Sequence, residues 1–287
     1  MIETRVSSRA KEVIIGEDQP TVLIGERINP AGKKKLSEAL KAGNLEIVRR
    51  EALAQVQAGA DILDVSVGTF GVDEVTLLPQ AVQAVMDTVD VPLCLDSAVP
   101  EALEAALKVY HGKSLINSVS GEEHSLAKVL PLVKEYGAAV IGLVQDEKGI
   151  PKDSEGRVAV AHKLVERAEA AGISRDNIII DCLTFAVGAD PSSGPAVMES
   201  IRRIKAELGV NLTLGASNVS FGLPDRDLLN SAFVVMTVAA GATCLIVDVA
   251  KVRPAVLAAD LILGRDKRAR RYIGAYRRRQ RQQKHEE

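Results

Sequence analysis

The chain has 287 residues, 47% of them hydrophobic but only 3% aromatic, with no Trp. That length suffices for one large core, and a core so poor in rings must be packed from Val, Ile, Leu and Ala, which favours an α/β architecture over an aromatic-rich β-sandwich. The formal net charge of -2 hides an asymmetry, because residues 265–287 hold ten Lys or Arg against three acids, leaving that tail at about +7 and the body before it at about -9.

Residues 1–20 read as an N-terminal extension. From Val22 onward, eight short apolar runs read as strands: Val22–Ile28, Ile62–Gly68, Pro92–Ser97, Leu115–Ser120, Ala138–Val144, Asn177–Leu183, Asn211–Asn218 and Cys244–Val249. Between them lie segments such as Asn44–Gly59, Glu101–Tyr110 and Val158–Gly172, whose apolar residues recur every three or four positions and several of which end at a plausible Gly cap. Successive runs start roughly 20 to 40 residues apart, which fits a strand, a crossover helix and two loops. A (β/α)8 TIM barrel over residues 21–264 is therefore expected, followed by a basic, helical tail over 265–287. A doubly wound open sheet would show the same alternation, but its dinucleotide fingerprint is absent from GERINPAGKKK after the first strand.

Nearly every strand ends in a carboxylate, amide or hydroxyl residue, at the end where barrel active sites are built. The series is Glu26, Asp64, Asp96, Asn117, Asp181, Asn218 and Asp248. One such residue is as readily a helix cap or loop anchor. Seven on one rim form a set rich in acceptors and amides, suited to a flat heterocycle with several N–H donors; a pterin's amidine-like edge matches a carboxylate bidentately. The four histidines, His111, His124, His162 and His285, fall in helical or tail segments, which argues against a His-based zinc site, a Ser-His-Asp triad or a His general base. Cys94, Cys182 and Cys244 are far apart in apolar runs and read as reduced core thiols, so no metal site is expected.

No apolar run approaches the roughly 20 residues that span a bilayer, and the first twenty residues lack the continuous apolar segment of a secretion signal, so a cytoplasmic protein without a membrane partner is expected. The basic tail has only Tyr272 and Tyr276 interleaved for base stacking; it reads as a solvated helix, and no nucleic-acid partner is expected.

The segments IGERIN, LDVSVG, LCLDS, INS, GIPKDSEGR, IIIDCL and LGASNVSFGLPDR, in that order between Val22 and Leu263, resemble the methyltetrahydrofolate:corrinoid methyltransferases, a family related to the folate domain of cobalamin-dependent methionine synthase. The resemblance implies that Asp96, Asn117 and Asp181 bind the pterin ring, supported by Asp64 and lined by Gly215 and Ser217. It implies that Asn218 is the catalytic group, hydrogen-bonded to the N5 that carries the methyl group, and that Arg226 sits near the glutamate tail or steadies the loop. It further implies tetrahydrofolate or 5-methyltetrahydrofolate as substrate, cobalamin carried by a separate corrinoid protein, and a homodimer. Two positions depart from the acetogenic pattern: Ser66 replaces an Asn of the second-strand motif, and Phe221 stands where some members place Gln, as in the methionine-synthase branch.

No corrinoid-binding D-x-H-x-x-G occurs in the chain, so the corrinoid is expected on another protein. The nearest enzyme alternative is a dihydropteroate synthase-like activity, which would need a Lys near the seventh strand, where LGASNVSFG has none. The alternative from another class is a non-catalytic folate-binding protein.

Overall fold

The computed structural model describes residues 2–286. The chain opens with an antiparallel hairpin, β1 (Thr4–Ser7) and β2 (Glu12–Ile15). Eight parallel strands follow: β3 (Val22–Ile28), β4 (Ile62–Ser66), β5 (Leu93–Asp96), β6 (Leu115–Ser120), β7 (Ala139–Leu143), β8 (Ile178–Asp181), β9 (Asn211–Thr213) and β10 (Cys244–Val247). They pair in the order β10-β3-β4-β5-β6-β7-β8-β9. Backbone bonds from Thr243 to Leu212 (3.0 Å) and from Ile246 to Leu214 (3.1 Å) bring β9 against β10 and close the ring. The expected TIM barrel is the observed fold.

Helices cover the outside: α1 (Lys34–Lys41), α2 (Glu46–Ala58), α3 (Glu74–Met86), α4 (Pro100–Val109), α5 (Glu123–Tyr136), α6 (Ser154–Ala170), α7 (Ser193–Leu208), α8 (Arg226–Ala240), α9 (Val249–Ile262) and, past the last barrel unit, α10 (Arg270–Glu286). Their ends follow local chemistry. Asp73 and Asp153 accept from the Val75 and Gly156 amides to cap α3 and α6, while Gly59, Gly137 and Gly209 take left-handed conformations that end α2, α5 and α7. His111 lies in the loop after α4 rather than in a helix, because α4 stops at Val109 and Gly112 turns the chain with φ 129°.

Strand alternation divides the core in two. Outward residues such as Leu23, Leu63, Leu95, Ile116, Val140, Ile180 and Leu212 pack against the helices. Inward residues Val22, Ile24, Ile62, Cys94, Leu115, Ile141, Ile179, Cys244 and Ile246 fill the barrel, where Val6, Val13 and Ile15 of the hairpin join them as a plug under the N-terminal ends of the strands. Asn211 fastens the plug by donating to the Thr4 hydroxyl (2.9 Å) and the Ile15 carbonyl (3.0 Å). The three cysteines are free and buried.

The seventh barrel strand is shorter than the pattern predicts. It ends at Thr213, and Ala216–Ser220 form a 3-10 turn that carries Ser217 and Asn218. The cause is local: Gly215 leaves the extended conformation at ψ 83°, and its carbonyl accepts from the Asn218 amide (3.3 Å).

Candidate active site at the C-terminal rim

On six of the eight strands the inward face turns polar two residues beyond its last apolar position, while on β7 Ile141 is followed by Leu143. Ile24 is followed by Glu26, Ile62 by Asp64 and Ser66, Cys94 by Asp96, Leu115 by Asn117, Ile179 by Asp181 and Ile246 by Asp248. The parallel register sets Ser66 beside Asp96 and Asp96 beside Asn117, so neighbouring strands deliver their polar groups at one height. The result is a cavity of about 830 Å³ at the C-terminal mouth.

Seven of the eight residues carried over from the family motifs line this cavity: Asp64, Asp96, Asn117, Gly215, Ser217, Asn218 and Arg226. Asp181 does not line it; it is buried on β8, its carboxylate accepting from the Leu183 amide at 2.7 Å. Asn117 donates to Asp64 (3.1 Å), and Asn29, a residue the sequence reading left without a role, donates to Asp96 (3.3 Å). Ser217 donates to Glu26 at 2.6 Å, tying the 3-10 turn to the opposite side of the ring closure.

Asn218 is different. Its exposed side-chain amide has no hydrogen-bond partner among the described residues, and it rests against Gly215, where an added Cβ would lie 3.2 Å from its Nδ2. The loop is held instead by Arg226, whose Nε and Nη2 donate to the Ser220 hydroxyl (3.0 Å) and the Ser217 carbonyl (2.9 Å). The turn is thus fixed without Asn218.

Burial sets the acidity of the ring. It pushes the carboxyl of Asp181 up to about 7, against smaller downward pulls from the Leu183 amide and Arg157. Asp64 and Asp96 are likewise raised by burial, opposed at Asp64 by its bond from Asn117 and reinforced at Asp96 by the neighbouring Asp64. Two neighbouring buried carboxyls resist being charged together. Glu26 is also raised by burial, and the half-buried Lys33, whose Nζ donates to the carbonyls of Glu26, Arg27 and Asn29, is lowered by it.

Arg157 was missed as a site residue, although it lies inside the GIPKDSEGR segment. Its side chain is fully buried; it donates to the carbonyls of Pro151 (2.9 Å), Cys182 (3.0 Å) and Leu183 (3.1 Å), and its guanidinium lies 5.7 Å from the Phe185 ring centre. It fixes the loop after Asp181, where Leu183 is held at φ 47°. A signal existed: Arg157 is in phase with the apolar stripe Ala161, Leu164 and Ala168 of α6, where a solvated charge would be out of place. Gly25, in IGERIN, is needed for another close approach, since a Cβ there would meet Gln55 Oε1 at 2.4 Å, the atom that accepts from the Arg27 amide.

Fold and site together define a (β/α)8 barrel with an acid- and amide-lined cavity at the C-terminal ends of its strands. A family model described as pterin binding enzyme matches residues 25–248. The chain is similar to methylcorrinoid:tetrahydrofolate methyltransferase of Eubacterium limosum, 33% identical over 89% of this chain and 96% of that one. It is also 34% identical to methionine synthase of Mycobacterium tuberculosis over 88% of this chain but only 22% of the larger protein. Among solved structures, Yersinia pestis dihydropteroate synthase with a pterin-sulfa conjugate superposes with TM-score 0.70 at 17% identity, covering 91% of this chain and 100% of that one, a likeness of fold. The chain belongs to the pterin-binding enzyme family.

Among the described residues no helix is long and apolar enough to cross a membrane, and no cluster of His, Cys, Asp or Glu is arranged to hold a metal ion.

Proposed function

We propose that the protein is a methyltransferase that moves a methyl group between 5-methyltetrahydrofolate and the cobalt of a corrinoid carried by a separate protein. The observation that carries this reading is the unpartnered amide of Asn218 facing the same cavity as the Asp64, Asp96 and Asn117 ring. The relative named for this exchange matches nearly end to end, which supports the same reading.

In this scheme Asp96 and Asn117 bind the pterin edge, with Asp64 orienting Asn117 and the backbone at Gly215 and Ser217 forming one wall, while Asp181, which the family motifs would also place on the ring, stands outside the cavity with its carboxylate committed to the Leu183 amide. A tertiary amine is a poor leaving group, so the C–N5 bond breaks readily only when N5 is protonated or strongly hydrogen-bonded. Asn218 can accept from a protonated N5 through Oδ1 or donate to neutral N5 through Nδ2 as the electron pair of the broken bond returns to nitrogen, whereas a carboxylate would only accept. The nucleophile is cobalt in its +1 state, which forms the new Co–C bond in line with the one that breaks. The chain contributes position and electrostatics, and the corrinoid supplies the nucleophile. Arg226 steadies the wall rather than entering the chemistry, and no lysine occupies LGASNVSFG, the place where a dihydropteroate synthase-like reaction would use one.

The reading is tested by mixing the protein with 5-methyltetrahydrofolate and a reduced corrinoid protein in stopped flow. Conversion of the Co(I) spectrum to that of methylcobalt at a rate dependent on the chain supports it. Tight folate binding with an unchanged cobalt spectrum would assign the barrel to a non-catalytic folate carrier.

A further inference from the structure

At the opposite end of the barrel, the loop Gly59–Asp61 enters β4, and beside it α9 and α10 form a cleft of about 450 Å³. Five cationic side chains line it, Lys11 from the hairpin turn and Arg253, Arg270, Arg271 and Arg278, against one acid, Asp61. That acid is turned inward, its Oδ2 accepting from the Leu23 amide at 3.0 Å. Arg271 is held in place by the fully buried Asp260 at 3.2 Å. Arg253, Arg270 and Arg278 have no hydrogen bond or ion pair to a side chain among the described residues, and the affinity of Arg253 for its proton is lowered first by burial and then by repulsion from Arg278 and Arg271.

Like charges this close in a half-buried cleft are unfavourable unless an anion joins them. The cleft is also shaped for one guanidinium: Arg253 lies directly on the backbone of Gly59, a left-handed residue at φ 100°, where a Cβ would be 2.2 Å from its Nε. Planar guanidinium groups pair bidentately with phosphate oxygens, and Arg271 and Arg278 stand roughly 10 Å apart along α10 at 1.5 Å of rise per residue, a separation that linked phosphates span more readily than a single one. No aromatic ring lines the cleft on which a base could stack.

We propose that this cleft, remote from the pterin cavity, binds a small polyphosphate anion through Arg253, Arg271 and Arg278. The source is either a free polyphosphate or the phosphate tail of a nucleotide, and the two are separable by titration.

The test is calorimetry of the full chain with sodium tripolyphosphate, orthophosphate and ATP at low and moderate salt. The expected result is one tripolyphosphate per chain, bound at least about tenfold more tightly than orthophosphate and weakening as salt rises. Arg253→Gln and Arg278→Gln are each expected to weaken it by about tenfold or more, with tetrahydrofolate affinity and thermal unfolding unchanged. Arg278 sits on an exposed helix face, so the second variant keeps the test sound if Arg253→Gln perturbs packing. ATP binding as tightly as tripolyphosphate identifies a phosphate-only site; tighter binding that both variants abolish adds a nucleoside. Equal affinity for orthophosphate and tripolyphosphate, or indifference to both substitutions, overturns the proposal. So does single-stranded RNA that tripolyphosphate fails to displace, or a dimer that tripolyphosphate dissociates, which would make the cleft a seat for a second copy of the chain.

Discussion

At the scale of single residues, Asn218 and Asp181 make opposite commitments. Asn218 leaves its amide unused, which gives little stability and leaves both donor and acceptor available to a ligand. Asn218→Ala is therefore expected to cut methyl transfer by on the order of a hundredfold while weakening methyltetrahydrofolate binding much less, since an interaction that strengthens as the bond breaks lowers the barrier rather than the dissociation constant. Stopped-flow rates set beside calorimetric affinities decide this; equal losses in both would remove Asn218 from the chemistry. Asp181 instead carries a cost. Its carboxyl, ordinarily near 3.8, is raised to about 7 by burial, so the folded state holds a proton that the unfolded chain releases between those values. The stability it contributes is present below pH 4 and is lost as pH rises through 7. Asp181→Asn keeps an acceptor for the Leu183 amide and removes the charge, so at pH 8 it should be more stable than the parent by on the order of a few kcal/mol, with the gap closing toward pH 4. Thermal unfolding across that range is the measurement, and a pH-independent difference would refute it.

At the scale of elements, helix α6 does more than cover β7 and β8. By placing Arg157 under the loop that follows Asp181, it couples the outer layer to the inner ring. Arg157→Met would leave the carbonyls of Pro151, Cys182 and Leu183 without this donor and remove the cation that acts on Asp181, so a loss of about 3 kcal/mol is expected in urea unfolding, with weaker tetrahydrofolate binding. Unaltered stability would show that the loop holds itself. The same coupling explains where sequence reasoning stopped. The strand runs located the polar end of nearly every strand, Asp96 and Asn117 each following an apolar inward residue by two positions. They placed Asn218 on a strand, because LGASN continues the apolar run, whereas the backbone turns at Gly215 and the residue reaches the cavity from a 3-10 turn. For Arg157 the sequence carried half the answer: its phase with the apolar stripe of α6 marks it as buried, but two of its partners, the carbonyls of Cys182 and Leu183, lie 25 and 26 residues further along the chain, and no local pattern pairs them.

At the scale of the whole molecule, the barrel is closed at one end and open at the other. The hairpin plug makes the N-terminal end a continuation of the core, so Val6→Asp, which buries an unpaired charge at a fully buried position, should lower the urea midpoint sharply. The fraction that remains folded should bind tetrahydrofolate as before, because the rim lies at the other end; a parallel loss of affinity would contradict this separation of scaffold and site. If two copies pair while the open end admits the proposed corrinoid domain, the helices that wrap the barrel are the surface left for their contact. We infer a homodimer of this kind, for which Leu228 and Met236, exposed on α8, are available apolar residues. Light scattering at micromolar concentration should give twice the chain mass, and a monomer would refute it.

The sequence by itself determined the eightfold alternation and the polar rim, because these depend on local periodicity and on the rule that parallel strands deliver their C-terminal ends to one side. Its motifs also named the residues that bear the proposed chemistry. What only the tertiary structure decided is which of them share a cavity and in what state. Asp181 turns to the Leu183 amide while Asp96 faces the opening, the acids of the ring are raised by burial, Asn218 stays unpaired because Arg226 holds its turn, and the arginines of the tail meet Arg253 across a cleft. Each depends on distances between segments remote along the chain, and on the water excluded between them, which no periodicity in the sequence encodes.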